Sequence, residues 1–289
     1  MLLQVTVNSI IAGSIYTLLA LGFTIVYGTL RFFNMAHGIA FTLGAYFCYV
    51  FRILLGIELI SSIVLAVLSS AAVMVLVDRI AFRPLRIKGA PSWALVVSSI
   101  GVAMLLEAVI AFIFGSDVVS LRIAEPRPGY SFFGAYITPV QVSILVVSIL
   151  MMILLMLFLK TTRTGKAMRA TTNDPEMSRI VGINTERVFL GTFTLGAAIA
   201  ALAGCLIALE TDLVPTMGHA ALLKAIVSSI IGGVGNVSGA MFGGFVLGFV
   251  ENFGIWHISA GWKNAIALIL LITFILLHPA FFGMESDKR

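Results

Sequence analysis

Charge is scarce in this chain. Only 11% of its 289 residues are Asp, Glu, Lys or Arg, 60% are hydrophobic, and the mean hydropathy is +1.10. A soluble domain of this length could not hide so much apolar surface in one core, which excludes the soluble globular class. Cysteine is nearly missing as well. Cys48 and Cys205 stand in apolar runs without partner spacing, so neither a disulfide framework nor a metal site is suggested. The opening MLLQVTVNSI lacks the basic stretch of a cleaved secretory signal and reads as the start of a span. A Walker A sequence is also missing. GGVGNVSG at 232–239 is glycine-rich but has no Gly-Lys-Ser/Thr ending to hold phosphates, and it follows an apolar run instead of a strand of a βαβ unit. No nucleophile–base pair, metal constellation, acidic pair or basic–acidic relay stands out, which leaves an enzyme as the class with least support. The net charge of +5 fits the positive-inside bias of membrane proteins, and no nucleic-acid module accompanies it.

What is there is apolar sequence of membrane-crossing length. Charge-free runs cover residues 1–30, 32–51, 128–159, 188–209, 225–250 and 264–284, each near or above the roughly 20 residues that a helix needs to cross the hydrocarbon core. The fold class expected is all-α: one polytopic transmembrane domain over residues 1–289. About eight spans fit, at 5–28, 36–56, 59–80, 93–114, 139–159, 188–209, 237–254 and 265–282. The stretch 220–254 leaves room for an extra crossing or a re-entrant half-helix near 220–233. Basic residues concentrate in two loops. Residues 78–88 carry Arg79, Arg83, Arg86 and Lys88 against Asp78, and residues 160–187 carry six basic residues against Asp174, Glu176 and Glu186. Between them, 115–138 balances Arg122 and Arg127 with Asp117 and Glu125. Two basic loops separated by two spans share a side, and the positive-inside rule makes that side cytoplasmic. Eight spans then put Lys288 and Arg289 outside, against the same rule, and an extra half-crossing would change that count.

The second basic loop is densely punctuated. Asn173 or Asp174 can cap a short helix, about 175–181, whose first residue is Pro175. Glu176 suits the positive end of its dipole, and Gly182 can supply the left-handed residue that stops it. Asn184 or Thr185 caps the next helix. Glu176-Met177-Ser178 followed by Gly182 resembles the coupling loop of ABC importer permeases, Glu-Ala-Ala-x-x-x-Gly, with departures at Met177 and Ser178.

The wider chain resembles the branched-chain amino-acid ABC transporter permease family, in its shorter membrane-subunit branch. The stretches that carry the resemblance are GSIYTLLALGFTIVYGTLRFFNMAHG (13–38), SSIGVAMLLEAVIAFIFGS (98–116), GKAMRATTNDPEMSRIVGINTERV (165–188), LLKAIVSSIIGGVGNVSGAMFGGFVLG (222–248) and HPAFFG (278–283). The family often has a basic residue before the Pro of the last one. The resemblance implies a non-catalytic translocation subunit of an ATP-driven importer in the bacterial inner membrane. It implies a homologous second permease as heterodimer partner, two cytoplasmic ATPase subunits that bind ATP and Mg²⁺, and a periplasmic binding protein. Asp174, Pro175, Glu176, Ser178, Arg179 and Gly182 are then the residues that couple to the ATPase. Urea or short-amide permeases and, more distantly, sugar permeases share much of the pattern, and a stand-alone secondary transporter is the other rival.

Several residues at membrane depth are candidates for the substrate path. Glu107 within the fourth span is costly unless paired, protonated or facing a polar path, and Glu251 raises the same question in the seventh. Met35-Ala36-His37-Gly38 is echoed by Met217-Gly218-His219-Ala220, each after a complete span and beside a break at Asn34 or Pro215. The two preceding spans run in opposite directions, as an inverted repeat requires, with the binding path expected at the repeat interface. Asn34, His37, Gly38, Glu107 and His219 are therefore the path candidates. His257 and His278, near span ends, are weaker ones. Gly235, Gly239 and Gly243 recur every four residues and predict a close helix-packing face, with Gly244 and Gly248 a step round.

Overall fold

A computed structural model describes residues 2–115, 117–121, 129–132, 134–256 and 258–277. Arg122, Glu125, Arg127, His257, His278, the 278–283 stretch, Lys288 and Arg289 lie outside the described residues.

The chain folds into twelve helices and one small hairpin among those residues. α1 (Leu2–Leu30) is 29 residues long, about 43 Å at 1.5 Å per residue, and lies almost wholly inside the bundle. It ends at Arg31, which takes a left-handed backbone with φ 56°, a conformation few non-glycine residues adopt. The chain then doubles back through Phe32–Ala36 and starts α2 (His37–Tyr49), extended by a π-helical turn over Val50–Leu54. The His37 imidazole reaches the Leu19 carbonyl, so α2 begins beside the middle of α1. α3 (Leu59–Val77) continues through a π-helical turn, Asp78–Phe82, into α4 (Arg83–Ile87), and α5 is Ser92–Phe114.

β1 (Tyr130–Phe132) and β2 (Ala135–Ile137) pair antiparallel, and Gln4 ties β2 to the start of α1 through the backbone of Tyr136. α6 (Pro139–Thr161) starts at a capping box in which Thr138 accepts from the Gln141 amide and the Gln141 side chain accepts from Thr138. The polar loop holds α7 (Arg163–Asn173) and α8 (Pro175–Ile180), and α9 (Thr185–Ala208) leaves it. α10 (Met217–Ile231), α11 (Val237–Gly254) and α12 (Lys263–Leu277) complete the bundle.

Among the described residues, six helices or continuous helical runs are long and apolar enough to cross a membrane: α1, α2 with its π turn, α3 through α4, α5, α6 and α9. α10 and α12 are apolar but only 15 residues each, and α11 is glycine-rich. The first seven expected spans are present as helices, the eighth is helical as far as Leu277 with 278–282 outside the described residues, and α10 fills the place of the extra crossing or half-helix expected near 220–233. α10 changes the count. It starts beside α2, since an added Cβ on Gly38 would lie 2.5 Å from the Gly218 carbonyl oxygen and one on Gly218 2.5 Å from that of Gly38. It ends at the polar-loop end, where Gly235 meets Gly28 near Thr172. α11 then runs antiparallel to α1, with Met241 against Thr17 and Gly248 against Gly13. Ile266 of α12 folds back onto Gly254, so α12 heads toward the polar-loop end. The two basic loops do share a side, because Arg86 of the first meets Glu186 of the second at 3.3 Å.

The packing obeys an approximate twofold that exchanges α1 with α9, α2 with α10 and α3 with α11. α1 against α11 is matched by α9 against α3, α1 against α10 by α9 against α2, and α2 against α3 by α10 against α11. On the axis, Gly22 and Gly196 face each other reciprocally, as Gly38 and Gly218 do. The expected inverted repeat is therefore built into the helix packing. Its register differs by two residues from the sequence echo. The turn at Met35-Ala36 corresponds to Pro215-Thr216, so Gly38 matches Gly218 and His219 matches Ile39 instead of His37.

Candidate translocation and coupling sites

Two short helices begin inside the bundle, and their N-termini meet. Each carries about half a positive charge from its unpaired amides, so the meeting point favours negative charge. Glu107 of α5 supplies one. Its Oε2 lies 2.7 Å from Nε2 of His219 in the first turn of α10. The partner of Glu107 is thus a histidine 112 positions away in sequence, contributed by the helix that the twofold places opposite α2. His219 is 63% exposed and Glu107 21%, on a face otherwise made of apolar α5. An ionisable pair on a membrane-spanning helix is costly against lipid. Met35, Gly38, Ile39, Thr42, Ala103, Pro215, Gly218 and Leu222 complete the crevice. Its free volume is about 10 Å³, at the lower limit for one water molecule, so nothing larger fits between the two helix ends, while the His219 side chain stays exposed beside them.

The path candidates divide. Gly38, Glu107 and His219 come together in the crevice, and Asn34 and His37 do not join them. Both of these are 2% exposed. The Asn34 carboxamide oxygen accepts from the Ala36 amide at 3.1 Å, which holds the turn, and His37 is fixed against the Leu19 carbonyl with its ring on Phe23. The physical reason is the way the first turn of α2 is buried: His37 turns toward Leu19 and Phe23 of α1, whereas Gly38 lies against Gly218 of α10.

The sequence shows no basic–acidic pairing that stands out, and the fold makes a buried one. Lys224 Nζ donates to Glu251 Oε2 at 2.9 Å and to the Tyr16 hydroxyl at 2.7 Å, and Tyr16 donates to the same carboxylate oxygen at 2.6 Å. Glu251 is fully buried and Lys224 is 9% exposed, stacked 4.5 Å over the Tyr16 ring. The other carboxylate oxygen, Oε1, has no hydrogen-bond partner. The cluster ties α10 and α11 to α1. Its sequence signal was Lys224 alone in an apolar run, with 27 residues to its partner.

Gly239 and Gly243 pack α11 on α10 as expected, the first against the backbone of Gly232 and the second against that of Ser228. Gly244 and Gly248 turn instead toward α1, at Thr17 and Gly13. Gly235 is a correction. It precedes α11 in a turn with φ +87° and belongs to no packing stripe, because the helix starts two residues later.

The polar loop follows its expected punctuation closely. Asp174 is the cap of α8, accepting from the Glu176 and Met177 amides at 2.9 Å each. Pro175 is the first residue, and the helix ends at Ile180, one residue before the expected limit. Gly182 has φ +93°. Its amide donates to the Arg179 carbonyl and the Ile183 amide to the Ser178 carbonyl, the bond pair of a Schellman stop. Asn184 caps α9, which begins at Thr185. The structure adds α7, which the sequence reading left as connector.

Inside the loop, residues face two ways. Ser178 is buried, and Arg179 Nε donates to the Thr185 hydroxyl at 3.0 Å at the head of α9. Next to Thr185, Glu186 takes Arg86, which also grips buried Asp78 through both guanidinium nitrogens at 2.6 and 3.2 Å. A continuous polar chain thus runs from α8 to the starts of α9 and α4. The outward face of α8 is apolar. Met177, Ile180 and Val181 are 55%, 78% and 74% exposed, at positions i, i+3 and i+4. The sequence reading missed this patch, although its helical spacing could have shown it.

Residues 5–275 match the family model described as "Branched-chain amino acid transport system / permease component". The high-affinity branched-chain amino acid transport system permease protein BraD of Pseudomonas aeruginosa is 34% identical, over 96% of this chain and 94% of its own. The corresponding permease protein LivH of Escherichia coli K12 is 34% identical with the same coverage. A solved structure, PsaBC from Streptococcus pneumoniae in complex with Fab, shares the fold with a TM-score of 0.52 at 13% identity, over 99% of this chain and 95% of that one. The membrane-length helices, the paired half-helices and the match over nearly the whole chain lead to one conclusion: this multi-pass membrane protein belongs to the family of branched-chain amino acid transport system permease components.

Proposed function

We propose that this chain is the translocation subunit of an ATP-driven importer for branched-chain or other neutral amino acids in the bacterial inner membrane. The observation that carries the reading is the exposed His219–Glu107 pair at the meeting of two helix N-termini, with aliphatic walls beside it. A zwitterion needs a cationic environment for its carboxylate and an anion for its ammonium. The two helix ends with His219 suit the first, and Glu107 suits the second. Ile39, Ala103 and Leu222 suit an aliphatic side chain.

The open face that bears the pair is the place for a homologous second permease, which would complete the path and remove the pair from lipid. The apolar patch of α8 is the place for a cytoplasmic ATPase subunit. Such a patch outside the bilayer marks a protein contact. ATP and Mg²⁺ would be held by the two ATPase subunits, and this chain would act without catalysing a reaction. Closure of those subunits would move α8, and the chain Arg179–Thr185, Glu186–Arg86–Asp78 would pass the movement to α9 and α3. A periplasmic binding protein would deliver the amino acid.

The test is ATP-dependent uptake of labelled leucine, with labelled urea as comparison. The chain is reconstituted with its permease, ATPase and binding-protein partners. Wild type should take up leucine and not urea. Glu107→Gln should lower leucine uptake at least tenfold while ATPase subunits still bind, and Met177→Asp should abolish their binding. Uptake that proceeds without ATP and is indifferent to both substitutions sinks the importer reading.

A further inference from the structure

We propose that the cavity between α1, α6, α7 and the start of α11 binds the headgroup of an anionic phospholipid from the leaflet that meets the polar loop. The cavity holds about 480 Å³ and opens at the polar-loop end of the bundle. Its wall changes with depth as a lipid does. Ile25 of α1 and Met156 and Leu159 of α6 form the deep part, and Lys160, one residue later on α6, stands at the rim. Arg169 of α7 reaches the same cavity from the loop side, and no acidic residue lines it.

The two cations are available. Lys160 and Arg169 are exposed and make no ion pair among the described residues, whereas Arg86 in the other basic loop is neutralised by Asp78 and Glu186. Basic pockets between membrane helices on this side recruit phosphate-bearing lipids because the phosphodiester finds its counter-charge while the acyl chains stay in hydrocarbon. Here the chains have a surface to follow: Ile153 and Leu157 of α6 are both 51% exposed. Thr172 adds a hydroxyl at the polar level. The occupant is a lipid and not a free phosphate, because half of the cavity is apolar and lies against membrane-spanning helices. The inference needs only membrane insertion and stands apart from the substrate assignment.

The full chain, purified in neutral detergent, is titrated with fluorescent phosphatidylglycerol, with phosphatidylcholine of the same chain length and inorganic phosphate as parallel probes. Phosphatidylglycerol should bind saturably and at least tenfold more tightly than phosphatidylcholine. Lys160→Gln/Arg169→Gln should weaken it by about tenfold or more, and Lys160→Arg/Arg169→Lys should restore most of it. Equal binding of the two lipids by wild type overturns the proposal whatever the variants do. Displacement of the lipid by millimolar phosphate overturns it in favour of a free-anion site. An unchanged affinity in a Gln variant that elutes like wild type also overturns it.

Discussion

Removing Lys224 would leave Glu251 in a site with no exposure and only the Tyr16 hydroxyl beside it. Breaking one side of a buried ion pair typically costs about 3–5 kcal/mol, while replacing both sides with apolar groups is close to neutral. Lys224→Met should therefore lower the thermal unfolding midpoint in detergent by several degrees, and Lys224→Met/Glu251→Leu should recover most of that loss. A double variant as unstable as the single one would show that the cluster is not held by charge pairing. Glu107 and His219 are the opposite case. Their exposure makes them poor contributors to stability, so Glu107→Gln should leave the midpoint within about 1 °C of wild type while lowering uptake. Legibility at this scale followed sequence distance. The residues of α8 declared their roles because caps and stops are local. The Lys224 pair did not: Glu251 at membrane depth called for a partner, but 27 residues separate it from Lys224 and no local pattern joins them.

Among the elements, α8 is small enough for one cap to matter. Asp174→Ala removes the acceptor of two amides and should cost about 1 kcal/mol. Hydrogen exchange at the Glu176 and Met177 amides should then quicken about fivefold, with α9 unchanged. Gly182→Ala forces a side chain into a left-handed backbone at about 1–2 kcal/mol, and should loosen the same helix from its other end. Equal exchange in wild type and both variants would mean that tertiary contacts alone hold α8. Span ends were legible where a turn signal or charge marks them, as at 114, 139 and 237–254, and were missed where the helix runs on, as in the α3–α4 run that reaches Ile87 against an expected end at 80. α10 was foreseen as an extra crossing or a re-entrant piece near 220–233. Fifteen residues fall short of a full span, and although the echo at Met217–Ala220 marked a helix start there, its place against α2 is set by packing that no local pattern shows.

For the whole molecule, the twofold makes a prediction that neither half makes alone. Gly38 and Gly218 meet each other reciprocally, so Gly38→Ala and Gly218→Ala should damage the protein to a similar degree, each forcing a Cβ to within 2.5 Å of a carbonyl oxygen. Unfolding midpoints of the two variants should differ by less than either differs from wild type. A benign Gly218→Ala beside a severe Gly38→Ala would break the equivalence of the halves. The sequence echo pointed to the correct pair of breaks but two residues out of register. Identity of letters had matched His37 to His219, and packing matches glycine to glycine because only glycine permits the backbones to touch.

That contact has an evolutionary consequence. Where two helices meet main chain to main chain, no side chain is available to be tuned, and any substitution is a loss. Beside it, Ile39, Thr42, Ala103 and Leu222 line the crevice with side chains that can be exchanged for others of similar size. On the cargo path proposed above, a descendant of this chain would acquire a different cargo by exchanging a few of those four while the glycine contact stays unaltered, so specificity would diversify faster than the contact that frames it.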